Sequence, residues 1–324
     1  MAVALDAWRR WILGAILAVY LGIAGLLAHY KLFWNDELFT VYIARIPTVP
    51  DVWAFLATGV EQTPPTFHLL SRWVIHTLGE HHVTVRLPSI LAVGVLGICL
   101  FVVVSRRTSP AYGFIAMLFP LTTQAFLYAY EARPYALVLA FSAASLLCWT
   151  SAADGRRRAL SLAGLAVTLA AALCSHYYAV LVFLPLAAGE LARSLDRRRV
   201  DLGIWLAFSV ATIPLFVFLP LIQSGRKLAA TFWARPQWQQ MADFYQHVLS
   251  PASVPLLVIV LGLAVYGLAR ASDGGKSAAT GAAPPPRHEI VAALGYLALP
   301  VVAVLVAKLV TGAFTDRYAL PAVL

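Results

Sequence analysis

The sequence has 324 residues, of which 61% are hydrophobic and only 12% charged, with a mean hydropathy of +0.79. Soluble globular chains carry roughly 25% charged residues, so this composition excludes a water-soluble domain and points to a chain whose main solvent is lipid. The net charge of +9 does not indicate nucleic acid, because the basic residues gather in short clusters between apolar runs, as the positive-inside rule expects.

In chain order, apolar runs cover residues 11–30, 87–104, 111–128, 135–152, 159–174, 177–192, 202–222, 252–269 and 290–310. A helix of about 20 apolar residues spans a bilayer core of roughly 30 Å, so the fold class is an all-α polytopic helical bundle with about nine transmembrane helices. The first run follows Arg9 and Arg10 and has no small-residue cleavage site, which makes it a permanent span rather than a signal peptide. Cys99, Cys148 and Cys174 lie inside apolar runs without metal or disulfide spacing and read as packing residues. Alternate loops carry Arg9 and Arg10; Arg106 and Arg107; Arg156, Arg157 and Arg158; Arg193, Arg197, Arg198 and Arg199; and Arg270, Lys276 and Arg287. By the charge rule these loops and the amino terminus are cytoplasmic. Residues 271–289, with their Gly, Ala, Ser and Pro, read as a flexible cytoplasmic linker. Tyr318 to Leu324 open a tenth apolar run that is cut short, so the chain reads as incomplete at its carboxyl end.

The opposite loops differ in kind. The first, residues 31–86, is too long for a connector and carries Asp36, Glu37, Asp51, Glu61 and Glu80. Within it Val52, Trp53, Phe55, Leu56 and Val60, then Phe67, Leu70, Trp73, Val74 and Leu78, recur at three- and four-residue spacing and predict amphipathic helices lying along the interface. A second outer loop, residues 223–250, mixes Arg226, Lys227, Trp233, Arg235, Trp238 and Tyr245, a composition suited to lipid headgroups.

Chemistry-bearing residues fall at this outer boundary. Asp36 and Glu37 stand at the mouth of the first span, where a membrane enzyme would hold a base; the competing role is a helix start capped by Asn35. Glu131 and Arg133 lie in a very short connection between two spans, as a mutual ion pair or with Arg133 as a phosphate ligand. His176 occupies another short outer turn, in a packing or a substrate-binding role. Arg86 heads the second span, where it would snorkel to the interface or face substrate. His81 and His82 beside Glu80 are a weak metal signal, and a divalent metal stays open, with no cofactor otherwise indicated. The apolar runs hold no Asp, Glu or Lys near their centres, Glu190 and Lys308 lying toward span ends, which speaks against an ion-coupled transporter.

The segments Asn35-Asp36-Glu37, Gln62 to Leu70 with its double proline, Arg86-Leu-Pro-Ser89 and Glu131-Ala-Arg-Pro-Tyr-Ala-Leu137, in that order, resemble the GT-C fold glycosyltransferases that use polyprenyl-phosphate sugars. More narrowly, the chain is similar to the bacterial family 39, protein-mannosyltransferase-like group that includes relatives of the aminoarabinose transferase. The resemblance extends to Asp316-Arg-Tyr-Ala-Leu-Pro321 and implies one GT-C catalytic domain over residues 1–324. It implies an inverting transfer from a polyprenyl-phosphate donor to an acceptor hydroxyl of a glycan, lipid or protein, at the non-cytoplasmic face of the plasma membrane. In that scheme Asp36 is the catalytic base and Glu37 supports it or binds sugar hydroxyls. Arg133 and His176 would stabilise the leaving phosphate with Arg86 behind them, and Glu131, Glu61 and Tyr135 complete the substrate-binding set. Aminoarabinose transferase relatives tend to carry Glu-Lys before the double proline, whereas this chain has Gln62 and Thr63, with Glu61 one place earlier. The tandem tryptophan motif of oligosaccharyltransferases is missing, which argues against transfer to asparagine. The readings from other classes are a lipid-linked-sugar flippase and a non-catalytic cell-envelope subunit. The first would not need acids gathered at one mouth, and the second would keep the fold but tolerate loss of Asp36.

Overall fold

The computed structural model describes residues 2–227, 234–252 and 285–324. Almost all of the expected span at 252–269, and most of the expected linker at 271–289, lie outside the described residues. Every described element is helical. A long first helix, α1 (Ala2–Tyr30), leads into three helices of the first outer loop: α2 (Asn35–Ala44), α3 (Val49–Leu56) and α4 (Pro65–Leu78). There follow α5 (His82–Arg107), α6 (Pro110–Leu118), α7 (Tyr135–Ala153), α8 (Arg158–Ser175), α9 (Phe183–Arg197), α10 (Leu202–Ala211), α11 (Ile213–Val217), α12 (Leu219–Lys227), α13 (Gln240–Leu249), α14 (Arg287–Leu297) and α15 (Leu299–Val306).

Five straight segments are long and apolar enough to cross a membrane, and the number is eight if each of three bent pairs counts as one span. These eight coincide with the expected runs except the one at 252–269. The bends, of 77°, 57° and 52°, lie at residues 123, 218 and 298, and each has a proline within three residues: Pro120, Pro220 and Pro300. Proline withdraws a backbone donor and clashes with the preceding turn, so a run that is continuously apolar in sequence breaks there in space.

The bundle buries apolar residues of every size where its helices meet and turns other large apolar ones outward. Leu139, Leu165 and Leu169 are buried in the main core, where α7 packs on α8, and Trp149 is buried against Gly189 of α9 and His288 of α14, whereas Val167, Leu202 and Leu309 are exposed. Outside is lipid, so this exposure costs nothing. α9 and α14 approach closely through two glycines. A Cβ at Gly189 would come within 2.8 Å of the His288 carbonyl, and one at Gly295 within 2.8 Å of Pro185 Cα. In the first outer loop, Thr48 caps α3 by accepting the Asp51 amide, and α4 buries Phe67 and Val74. The helices expected in this loop are therefore present, with α3 ending at Leu56, before Val60.

One ion pair fastens that loop to the bundle. Arg86 lies inside α5, one turn past its start at His82, and both it and Glu37 are fully buried. Its Nε and Nη2 each donate to Glu37 at 2.7 Å, and its remaining donors reach the carbonyls of Ala28, Lys31 and Leu32 at the end of α1. Glu37 Oε1 also accepts the amide of Ala132 at 2.7 Å. Arg86 therefore does not snorkel to an interface: the second span starts earlier than its apolar run, which draws the guanidinium inward. Nor does Asn35 cap α2, whose cap position is Trp34 without a side-chain bond. Removing one partner of such a pair strands the other as a buried charge, at about 3–5 kcal/mol. Arg86→Met and Glu37→Leu should each lower the melting temperature of the detergent-solubilised protein sharply, with the double variant recovering part of the loss; additive losses would contradict this coupling.

Candidate active site

A cavity of about 470 Å³ opens at the end of the bundle where α2 begins and α8 ends. Its wall is assembled from distant parts of the chain: Asp36 on the first turn of α2, Glu61 in the loop before α4, Arg133 and Tyr135 at the start of α7, His176 after α8, Arg226 at the end of α12, and Arg317 and Tyr318 near the end of the described chain. Each sits at a helix terminus or in a short connection, which leaves it at the membrane boundary.

The carboxylates of the cavity are held by arginines. Arg317 Nη1 donates to Asp36 Oδ2 at 2.7 Å, while Asp36 Oδ1 accepts no hydrogen bond from the described residues. Arg133 grips Glu61 with both terminal nitrogens, at 3.1 and 3.3 Å, and reaches the Asp36 carbonyl at 3.1 Å. Its Nε is buried without an acceptor. Behind Glu61, the Thr63 hydroxyl donates to the carboxylate at 2.8 Å and lies 3.1 Å from His68 Nε2. A hydroxyl has one proton to give, so His68 donates through Nε2. Burial would raise the Glu61 carboxyl, but the Arg133 guanidinium overrides it and holds the pKa at about 2. Burial pushes His68 down to about 4 and His176 to about 3, the latter helped by the nearby charges of Arg133 and Arg317. Both imidazoles are neutral at physiological pH.

His176 Nδ1 accepts the Tyr178 amide at 3.2 Å, which leaves Nε2–H as the ring's donor. The ring sits among Tyr135 and Tyr318, at 5.4 and 5.0 Å between centroids, and Tyr178 stacks on Tyr318 at 4.3 Å. Arg317 lies over the Tyr135 ring at 5.4 Å. The result is a wall of aromatic faces beside two guanidiniums, suited to the apolar face of a sugar and to an anion.

The structure thus gathers Asp36, Glu61, Arg133, Tyr135 and His176 on one cavity and leaves three sequence candidates off it. Glu37 and Arg86 are sealed in the pair described above. Glu131 does not pair with Arg133; it binds Lys31 Nζ at 2.6 Å, because the turn sends the two side chains apart, and burial raises its carboxyl above the usual range. Arg317 was missed as a site residue. Its signal was a lone arginine beside an aromatic in Asp316-Arg-Tyr-Ala-Leu-Pro321. His81, His82 and Glu80 do not converge: Glu80 pairs with Arg45 and His82 Nδ1 lies near the His29 carbonyl. Among the described residues no three His, Cys, Asp or Glu side chains come together to hold a metal ion, and both cavity carboxylates are already engaged by guanidiniums.

Fold and site together define a polytopic helical membrane protein with a charged, aromatic-walled cavity at one end of its spans. The family model described as dolichyl-phosphate-mannose-protein mannosyltransferase matches residues 62–223, half of the chain, and the chain belongs to that family of membrane glycosyltransferases of the GT-C type. No curated protein and no solved structure matches it.

The two depressed histidines set a stability limit. Between their folded values and the ordinary 6.5, the unfolded chain takes up protons that the folded chain refuses, so stability rises with pH through this window and is lost as pH falls below about 6.5. The melting temperature should therefore drop between pH 7 and pH 5, and His68→Gln should flatten the slope. A slope identical to wild type would show that His68 is not buried in its neutral form.

Proposed function

We propose that the cavity transfers a sugar from a polyprenyl-phosphate donor to an acceptor hydroxyl with inversion, and that Asp36 is the base. The observation that carries this reading is the state of the Asp36 carboxylate. One oxygen is fixed by Arg317 and the other is unengaged, on a wall shared with Arg133, Arg226 and His176. In the transfer the acceptor oxygen attacks the anomeric carbon, the bond from that carbon to the phosphate oxygen breaks, and the hydroxyl proton passes to Asp36 Oδ1. The electron pair of the broken bond leaves with the polyprenyl phosphate.

A phosphate leaving group needs positive charge already in position rather than a proton. Arg133, raised in pKa by Glu61 against the cost of its burial, is permanently charged and has an unused Nε–H. Arg226 and Arg317 add charge, and the neutral His176 offers an Nε2–H. Glu61, locked to Arg133, acts by positioning it. The aromatic faces of Tyr135 and Tyr318 would orient the sugar. Asp36 and Arg317 lie outside the family-matched segment, so their roles rest on geometry.

The charge rule supports an amino terminus on the cytoplasmic side. α1 then delivers Asp36 to the opposite face, where the acceptor would be a hydroxyl of a glycan, lipid or protein. The exposed apolar surface of the bent α11–α12 pair, including Phe216 and Leu219, supports a lipid tail lying against the helices with its phosphate in the cavity.

In membranes supplied with a radiolabelled polyprenyl-phosphate sugar, Asp36→Asn should reduce transfer by about 10²- to 10⁴-fold, the usual contribution of a general base, at matched expression and with donor binding retained. Arg317→Gln should lower kcat more than it raises the donor KM. Full activity of Asp36→Asn would remove the base assignment, and absence of transfer with every donor offered to the wild type would favour a flippase.

A further inference from the structure

The opposite end of the bundle holds a second charged cavity that sugar transfer does not use. Its volume is about 410 Å³, and it lies between the start of α8, the end of α9 and the start of α10, walled by Arg158, Arg197, Arg199, Val200, Asp201 and Leu202. α8 ends at Ser175, beside His176 of the catalytic cavity, and its 18 residues rise about 27 Å. The two cavities are therefore on opposite sides of the membrane.

The charges here do not balance. Asp201 accepts from Arg158 at 2.5 Å and from Arg193 at 2.6 Å, and Arg193 is itself paired with the fully buried Glu190 at 2.8 Å. Both carboxylates are already paired with arginines. Asp196 is occupied by Arg287 at 3.1 Å. Arg197 and Arg199 make no ion pair among the described residues, yet both line the cavity. The amides of Leu202 and Gly203 in the first turn of α10 have no backbone acceptor, the ladder beginning with Ile204 and Trp205 on the Asp201 carbonyl, so they add partial positive charge. Loop arginines are expected at this end of a membrane protein. A walled cavity with two uncompensated guanidiniums is a stronger feature than the charge rule requires.

We infer that this cavity binds a phosphate group, and that its source is the headgroup of an anionic phospholipid. Phosphate fits the planar donors of Arg197 and Arg199, and basic pockets between spans on the cytoplasmic side are the general form of anionic-headgroup sites. The lipid source follows from the surroundings. Val200 and Leu202 line the cavity and are more than half exposed, as is Leu206 one turn further along α10, which gives acyl chains an apolar surface beside the arginines. A soluble phosphate compound would have no use for that surface.

The test uses the full chain in detergent, titrated with phosphatidylglycerol, phosphatidylcholine or inorganic phosphate and read by native mass spectrometry and melting temperature. Two charge-matched variants are compared with wild type, Arg197→Gln/Arg199→Gln and Arg9→Gln/Arg10→Gln; all four side chains are exposed. Phosphatidylglycerol should bind wild type and the Arg9/Arg10 variant alike and the Arg197/Arg199 variant about thirtyfold more weakly, as the loss of two arginines near an anionic surface implies. Phosphatidylcholine and inorganic phosphate should neither bind nor compete. Equal weakening in both variants would reduce the effect to general basic attraction and overturn the site. Displacement of the lipid by inorganic phosphate would keep the phosphate site and overturn the lipid source. Undiminished binding to the Arg197/Arg199 variant would overturn both.

Discussion

A carboxylate and a guanidinium with no contact with solvent, Glu37 and Arg86, fix the relation between the first outer loop and the spans. Burying two opposite charges is costly, and the arrangement holds because every donor of Arg86 and both oxygens of Glu37 are matched, partly by carbonyls that α1 would otherwise leave open at its end. Glu37 adjoins Asp36 on the first turn of α2, and successive helical residues point about 100° apart. Sealing one into the bundle therefore turns the other toward the cavity. The same pair reaches Ala132, next to Arg133, so the two sides of the cavity are built on one anchor.

From that anchor the cavity is assembled by compensation. Asp36 is answered by Arg317 and Glu61 by Arg133, and Arg226 is left over as net positive charge on the wall. In a partly desolvated site such charges act through a lower effective dielectric than in water, and in the proposed transfer they would already be in position when the leaving phosphate develops its charge. The histidines take the opposite course. Buried among cations, His68 and His176 give up their protons and serve as neutral donors, so the cavity does not gain further positive charge on mild acidification.

The bent spans place the rest. At residues 123, 218 and 298 the helices break near prolines, and the segments beyond two of these breaks bring Arg226 and Thr311 to the cavity wall. Straight helices through the same apolar runs would carry their ends elsewhere. The 3-10 segment Asp316–Val323 then packs Leu320 and Val323 into the main core, which sets Arg317 against Asp36 across nearly the whole length of the chain.

The all-helical membrane class, the positions of the eight spans among the described residues, the helices of the first outer loop and the grouping of Asp36, Arg133 and His176 at one face were legible in the sequence, because burial in lipid demands long apolar runs and confines charges to their ends. What the sequence left open was which charge meets which. Glu131 and Arg133 are two residues apart yet bind Lys31 and Glu61, and Asp36 is paired with a residue 281 positions away. Adjacent carboxylates, Asp36 and Glu37, were equal candidates by residue type and separate only by the face of α2 each occupies. Hydropathy depends on composition along the chain and is therefore read locally. Pairing of charges at a membrane boundary depends on which helix ends are brought together, and only the tertiary packing of the proline-bent spans decides that.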